Sequence, residues 1–162
     1  MVAARVIRRV SDALVGDAVV VRPTSTTFEE AIGGLVGRLT AVGAMAPALA
    51  DIAVQRICER EAIASTAMVD IGVSIPHARL EGIDGITAAV AVSDHAVYQV
   101  ADGVPISIVT LVLSSPTLTG EHLTFLSAAS LLLQSERVRT QLRHAATAEQ
   151  VMHLIRNHES AP

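Results

Sequence analysis

Two stretches of this chain are almost unbroken apolar sequence: Ile86-Thr-Ala-Ala-Val-Ala-Val-Ser93 and Ile106-Ser-Ile-Val-Thr-Leu-Val-Leu113. Neither alternates polar with apolar residues, so neither can turn one face to water. Runs of this length, bounded by turn residues, read as interior strands covered on both faces. Covering a sheet on both faces takes helices, and the rest of the chain carries helical periodicity. Two shorter runs, Ala18–Arg22 and Val73–Ile75, read as further strands. The expected fold is therefore α/β: a mixed sheet of about five strands flanked by helices.

The helices announce themselves by spacing and caps. Val2, Val6, Val10 and Leu14 recur on one face, which predicts a short helix over Val2–Leu14. Thr27-Phe-Glu-Glu30 has capping-box spacing and opens a helix with Phe28, Ala31, Ile32, Leu35, Val36 and Leu39 inward. Gly43 ends it. Pro47 precedes a helix over Ala48–Glu61, whose inner stripe is expected to be Leu49, Ile52, Ala53, Arg56 and Ile57. His122–Leu133 reads as a helix with Leu123, Leu126, Ala129, Ser130 and Leu133 on one side, and Glu136–His144 as a short one. Thr147-Ala-Glu-Gln150 is a second capping box, opening a last helix to about Asn157. Asp94–Val100 reads as an edge or connector, Asp102-Gly103 as a turn, and Pro116 as the end of the second apolar strand. No repeat, linker or composition break divides the chain, so one domain over residues 1–162 is expected.

Composition narrows the functional classes. With no tryptophan, one tyrosine and two phenylalanines in 162 residues, the core must be built from Ala, Val, Leu and Ile. A formal charge of −4 argues against a nucleic-acid binder, which needs a concentrated basic face. Arg5, Arg8 and Arg9 are the one basic cluster, on the solvated side of the first helix. The single cysteine, Cys58, can form no internal disulfide or paired-cysteine metal motif, and its helical surroundings suit a small buried hydrophobe. No run of about eighteen apolar residues predicts a membrane span. The N-terminus lacks a secretory pattern. A reducing cytoplasm is the expected compartment.

The chemistry concentrates in Arg60–Arg79, which reads REAIASTAMVDIGVSIPHAR. Proline has no N–H and pushes the preceding residue into an extended conformation, so the strand at Val73–Ile75 is expected to stop at Pro76. His77 follows that stop and is expected to face a loop. A histidine placed there can titrate near neutrality, attack as a nucleophile or bind a metal. Taken residue by residue, it can equally be an ordinary loop histidine.

The words around His77 add to this. R-E-x-I-x-S-T, then a glycine, then V-S-I-P-H-A-R resembles the phosphorylation-site segment of the fructose/mannitol-type (type 2) enzyme IIA domains of the bacterial sugar phosphotransferase system. The nitrogen-regulatory enzyme IIA proteins share that segment. Further on, Asp102-Gly-Val-Pro, an apolar strand and Glu121-His122-Leu follow in the order the family uses, so the resemblance covers roughly Ala13–Ile155. The chain departs from the pattern at Met68–Gly72, where family members usually carry G-x-G, and at Ser74, usually alanine. It is one residue longer between Thr66 and His77.

The resemblance implies a phosphoryl carrier. His77 would accept the phosphoryl group from the small carrier HPr, itself charged from phosphoenolpyruvate through enzyme I, and pass it to a cysteine of an enzyme IIB domain. It implies that His122 lies beside His77 and that Arg60 lies near the phosphate. A phosphoryl group brings roughly 1.5 to 2 negative charges, and its transfer mainly needs positioning and charge cancellation. His122 near a helix N-terminus, the terminus itself, and Arg60 suit those needs. Ser65 and Thr66 can supply hydroxyl donors to phosphate or can cap their own turn. Arg60 can instead pair with Glu59 or Asp70, and His122 can face water. Arg79 reads as a solvated loop charge, and His95, His144, His153 and His158 as surface residues.

No cofactor or metal is required, although His77 and His122 with Asp70 would be the candidate set for one. Two other roles stay open: a regulatory module whose phosphorylation switches binding to a target protein, which a free-standing chain would suit, and a degenerate relative without the chemistry. The sugar is not legible.

Overall fold

The computed structural model describes residues 9–160, apart from the Asp102 side chain. Helix α1 (Val10–Ala13) leads into strand β1 (Val19–Val21), then α2 (Phe28–Ala41) and α3 (Ala50–Ile63), with a 3₁₀ turn at Pro47–Leu49 before α3. Strands β2 (Val73–Ser74), β3 (His77–Arg79) and β4 (Ile86–Val92) follow. Next come β5 (Tyr98–Val100), β6 (Val104–Ile106) and β7 (Ile108–Ser114), and the chain closes with α4 (Thr119–Gln134), α5 (Glu136–Arg143) and α6 (Ala148–Ser160). Of the helix expected over Val2–Leu14, Val10–Ala13 is seen and the start lies outside the described residues. Its N-terminus is held by Glu159, which accepts from the N–H of Val10 at 2.6 Å and the hydroxyl of Ser11 at 2.6 Å.

β4 and β7, the two apolar runs, pair antiparallel at the centre of a five-stranded mixed sheet, and all their residues are buried. β1 adds parallel to β4, while β2 and β3 both add parallel to β7. Alternate residues feed two cores, one on each face. Ile86, Ala88, Val90, Ile108 and Val112 pack with α1, α4, α5 and α6. Ala89, Ala91, Val109, Leu111 and Leu113 pack with α2 and α3. Two-sided cover is what an uninterrupted apolar strand requires.

Both expected helix caps form. Thr27 Oγ1 accepts from the Glu30 N–H at 3.2 Å, and Thr147 Oγ1 accepts from the Gln150 N–H at 3.1 Å. The reciprocal half differs from a full capping box. The Glu30 carboxylate accepts from the Thr26 and Thr27 hydroxyls, and the Gln150 amide oxygen accepts from the Ala146 N–H at 2.7 Å.

Three local expectations need correction. The run Ile106–Leu113 is not one strand: Ile106 ends β6, which pairs with β5 in a separate two-stranded sheet, and β7 starts at Ile108. Ser107 marks the change of partner, its N–H donating to the Gly72 carbonyl at 2.8 Å. The Asp94–Val100 connector contains β5 for the same reason. In α4 the buried residues are His122, Phe125, Ala129, Leu132 and Leu133, while Leu123 is 57% exposed. The apolar spacing of this leucine-rich helix fits two registers, and packing selects the one that buries His122.

Among the described residues no helix is long and apolar enough to cross a membrane.

Candidate functional site

β2 and β3 together form one edge of the sheet, where Met68 bridges to Val73 on the outer side of β2. Pro76 interrupts that edge without ending it: it donates nothing, yet its carbonyl accepts from the Val112 N–H at 2.9 Å. Proline is tolerated at such an edge because its missing N–H need not pair there. The chain therefore continues past Pro76, and His77 is the first residue of β3, in register with Val112, rather than a loop residue. Ala78 points into the α2/α3 core. Strand alternation puts His77 and Arg79 on the opposite face, toward α4.

The half-buried His77 ring is oriented by its own backbone. Nδ1 lies 2.8 Å from the Ile75 carbonyl oxygen. A carbonyl can only accept, so Nδ1 carries a hydrogen, and in the neutral ring the free lone pair is on Nε2. The His122 ring lies beside it, with ring centroids 5.4 Å apart and planes at 60°. His122 is 3% exposed, and its Nδ1 is hydrogen-bonded to the hydroxyl of Ser114, which is fully buried at the end of β7.

The two rings share an open basin of about 400 Å³ with Arg56, Arg60, Arg79, Leu123 and Leu126. Arg60 binds the Ala64 carbonyl at 3.1 Å, closing the end of α3, rather than pairing with Glu59 or Asp70. Arg79, expected as a solvated loop charge, is half-buried at the end of β3 and donates to Thr119 Oγ1 at 3.0 Å. Among the described residues, the ion pairs lie elsewhere, at Arg22, His95 and Arg156. Three guanidinium groups that have no carboxylate partner among the described residues, beside an imidazole, are a set that could receive a small anionic group.

Ser65 and Thr66 stand apart from this basin. Both hydroxyls donate to the Glu61 carboxylate, at 3.0 and 2.9 Å, and the Thr66 N–H adds a third bond at 2.8 Å. Thr66 Oγ1 in turn accepts from the Ile75 N–H at 3.2 Å. Glu61 thus ties the end of α3 to the residue whose carbonyl orients His77. Hydrogen bonds to a charged group contribute about 1.5–3 kcal/mol each when they are well formed. Glu61→Ala is expected to cost about 2 kcal/mol and to speed amide exchange at Thr66 and Ile75, read by chemical denaturation and hydrogen exchange. Unchanged protection at Ile75 would argue against this brace.

Burial pushes the His122 pKa down to about 4, helped by His77 and Arg79 close by. At neutral pH this ring is uncharged. The sign of the linkage follows. Below the ordinary histidine value of 6.5 the unfolded chain binds a proton that the folded chain refuses. Stability is expected to fall as pH drops from about 6.5 through about 4. His122→Gln should flatten that part of a urea-denaturation pH series.

Cys58 is half-buried rather than fully buried, with its thiol pKa raised by burial first and by Glu29 and Glu61 next, which keeps it protonated and inert. His144, His153 and His158 are exposed, and His95 projects beside Asp94. Asp70 is exposed, and among the described residues no group of three or more His, Cys, Asp or Glu could hold a metal ion.

Two contributors were not singled out from the sequence. Arg56 was expected to face inward, yet it lies one helical turn before Arg60 and so shares its face. Ser114 carries no sequence signal, because only the packing of α4 on β7 brings it to His122.

Fold and basin together define an α/β domain that can receive an anionic group at one edge of its sheet. Residues 13–158 match the family described as the phosphoenolpyruvate-dependent sugar phosphotransferase system, EIIA 2, and the chain belongs to that family. Members of this family are phosphotransferase components. A nitrogen regulatory protein from Pseudomonas aeruginosa is 32% identical over 102 residues, covering 62% of this chain and 66% of that protein. Among solved structures, the nitrogen regulatory protein IIA-Ntr from Neisseria meningitidis matches with a TM-score of 0.72 at 23% identity, over 86% of this chain and 93% of that one. The complex of enzyme IIA mannitol with phosphorylated enzyme IIB mannitol from Escherichia coli matches at TM-score 0.68 and 19% identity, over 88% and 96% of the two chains. These structural likenesses confirm the enzyme IIA fold expected above.

Proposed function

We propose that this chain is a phosphohistidine carrier that takes a phosphoryl group on Nε2 of His77 and hands it to a second protein. The observation that carries this reading is the hydrogen bond of His77: in the neutral ring the Ile75 carbonyl holds the hydrogen on Nδ1, which leaves the lone pair on Nε2 of a ring that lines the basin. In the first step the Nε2 lone pair attacks phosphorus while the donor's bond to phosphorus breaks, and the donor leaves with that electron pair. In the second step the nucleophile of the acceptor, a cysteine thiolate in an enzyme IIB domain, displaces Nε2 in the same way. Arg60, Arg56 and Arg79 offset charge on the phosphoryl oxygens. His122, uncharged at neutral pH, adds a hydrogen bond without adding a permanent cation.

The donor in this reading is HPr, or its nitrogen-type counterpart, in the cytoplasm where phosphoenolpyruvate is found. The Escherichia coli neighbour, captured with an enzyme IIB, supports the acceptor. A second reading is favoured by the Pseudomonas relative's name: the phosphorylation state of His77 would control binding to a regulatory target, and the sugar step would be absent.

The experiment is to incubate the chain with phosphoenolpyruvate, enzyme I and HPr and to locate acid-labile phosphate by mass spectrometry. Phosphate is expected on His77. A chain left bare while HPr is charged in the same tube would overturn the reading. Capture of partners by the phosphorylated and unphosphorylated forms then separates transfer to enzyme IIB from regulation.

A further inference from the structure

We propose that Ser114 is a positioning residue that sets the tautomer of His122. It donates its hydroxyl hydrogen to Nδ1, so that Nε2 carries the ring hydrogen and offers it across the basin to a group held on His77. The role in transfer rests on the carrier reading above, but the tautomer itself does not.

The argument is one of buried valences. Ser114 is fully buried, and among the described residues its hydroxyl has one hydrogen-bond partner, Nδ1 of His122. Either atom can be the donor in principle. If Nδ1 carried the hydrogen, the serine hydrogen would be left buried with no acceptor. A neutral His122 would then carry only a lone pair at Nε2 and have no hydrogen to offer a group held on the His77 ring beside it. With the serine as donor, every hydrogen has an acceptor and the two rings become complementary: Nε2 of His77 attacks, Nε2–H of His122 donates. A buried polar hydrogen without an acceptor costs more than an unused lone pair, which favours this arrangement.

The geometry holding the pair is stiff. Ser114 lies in the central β7, opposite Ile86 of β4 and Arg79 of β3, and its own carbonyl accepts from the Leu80 N–H at 2.9 Å. His122 sits in the first turn of α4, its N–H bonded to the Leu118 carbonyl at 2.8 Å. The serine therefore couples the edge of the sheet that carries His77 to the helix that carries His122. At metal centres, removing the group that orients a histidine through its other nitrogen costs about 10–100-fold, and the same scale is expected for this buried ring.

The test reads the tautomer directly, by nitrogen-15 NMR of the imidazole rings in the unphosphorylated chain near pH 7. The wild type is expected to show His122 as the Nε2–H form. Ser114→Ala is expected to mix the two tautomers and to slow phosphoryl transfer to the acceptor about 10–100-fold. An Nδ1–H form in the wild type would overturn the proposal, whatever Ser114→Ala does to folding. A His122 tautomer unchanged in folded Ser114→Ala would overturn it as well. A wild type that shows the Nε2–H form yet takes no phosphate would instead sink the carrier reading and leave the Ser114 assignment in place.

Discussion

His77→Ala is expected to abolish phosphoryl uptake from phospho-HPr while leaving the fold intact. The loss should be complete, because no other ring nitrogen is placed to replace it. His122, its neighbour, is almost fully buried and has Nδ1 committed to Ser114. The remaining histidines that the structure describes lie outside the basin. The fold should survive because His77 is half-buried on an edge strand whose ladder partners are backbone groups of β7. Circular dichroism and a denaturation midpoint close to wild type would verify that. By contrast His122→Gln should keep a phosphorylatable His77 and lower the transfer rate by about 10²-fold, the usual cost of removing one stabilising donor. Uptake at the normal rate by His77→Ala, measured with labelled phosphoenolpyruvate, would remove the proposed role of this residue.

Leu111→Ala should be a strongly damaging core truncation. Leu111 is fully buried in β7, opposite Ala89 of β4, in the layer under α2 and α3. Its neighbours in that layer are held by two strands and two helices at once, so the space cannot collapse to fill the gap. Truncation of a leucine in such a place costs about 2–5 kcal/mol. Against a total stability of about 5–15 kcal/mol for an ordinary domain, that is a large share. Chemical denaturation should show the midpoint falling with little change in slope. The matched control is Leu131→Ala in α4, where the side chain is 75% exposed and the expected change is within about 0.5 kcal/mol. Equal costs at the two sites would contradict the layering described above.

The architecture was readable because its strongest signals are local. The apolar runs that hold β4 (Ile86–Val92) and β7 (Ile108–Ser114) had to contribute interior strands, and interior strands had to be covered by helices. Thr27 and Thr147 cap the helices they were expected to cap. What escaped depended on partners distant in sequence. The break at Ser107 exists because the chain leaves β5 and joins β4. His77 belongs to a strand because β7 has an unsatisfied edge that continues past Pro76. The register of α4 was misread because its many leucines satisfy two stripes, and only contact with the sheet chooses between them. At the site, the pair of histidines and Arg60 were visible as motifs, and they meet in one basin with Arg79. Arg56 was visible only as a position one turn from Arg60. The hydroxyls of Ser65 and Thr66 brace the loop through Glu61, a pairing five residues long that geometry had to reveal.

Sequence alone determined the class of fold, the family and the candidate phosphoacceptor, because apolar runs, caps and the I-P-H-A-R word act over a few residues. Tertiary structure decided which nitrogen of His77 is free, that His122 is buried and uncharged, and that Ser114 holds it. Those properties arise where an edge strand, a central strand and a helix meet. A tautomer and a pKa are set by what surrounds a ring in space, and neighbours in space are not neighbours along the chain.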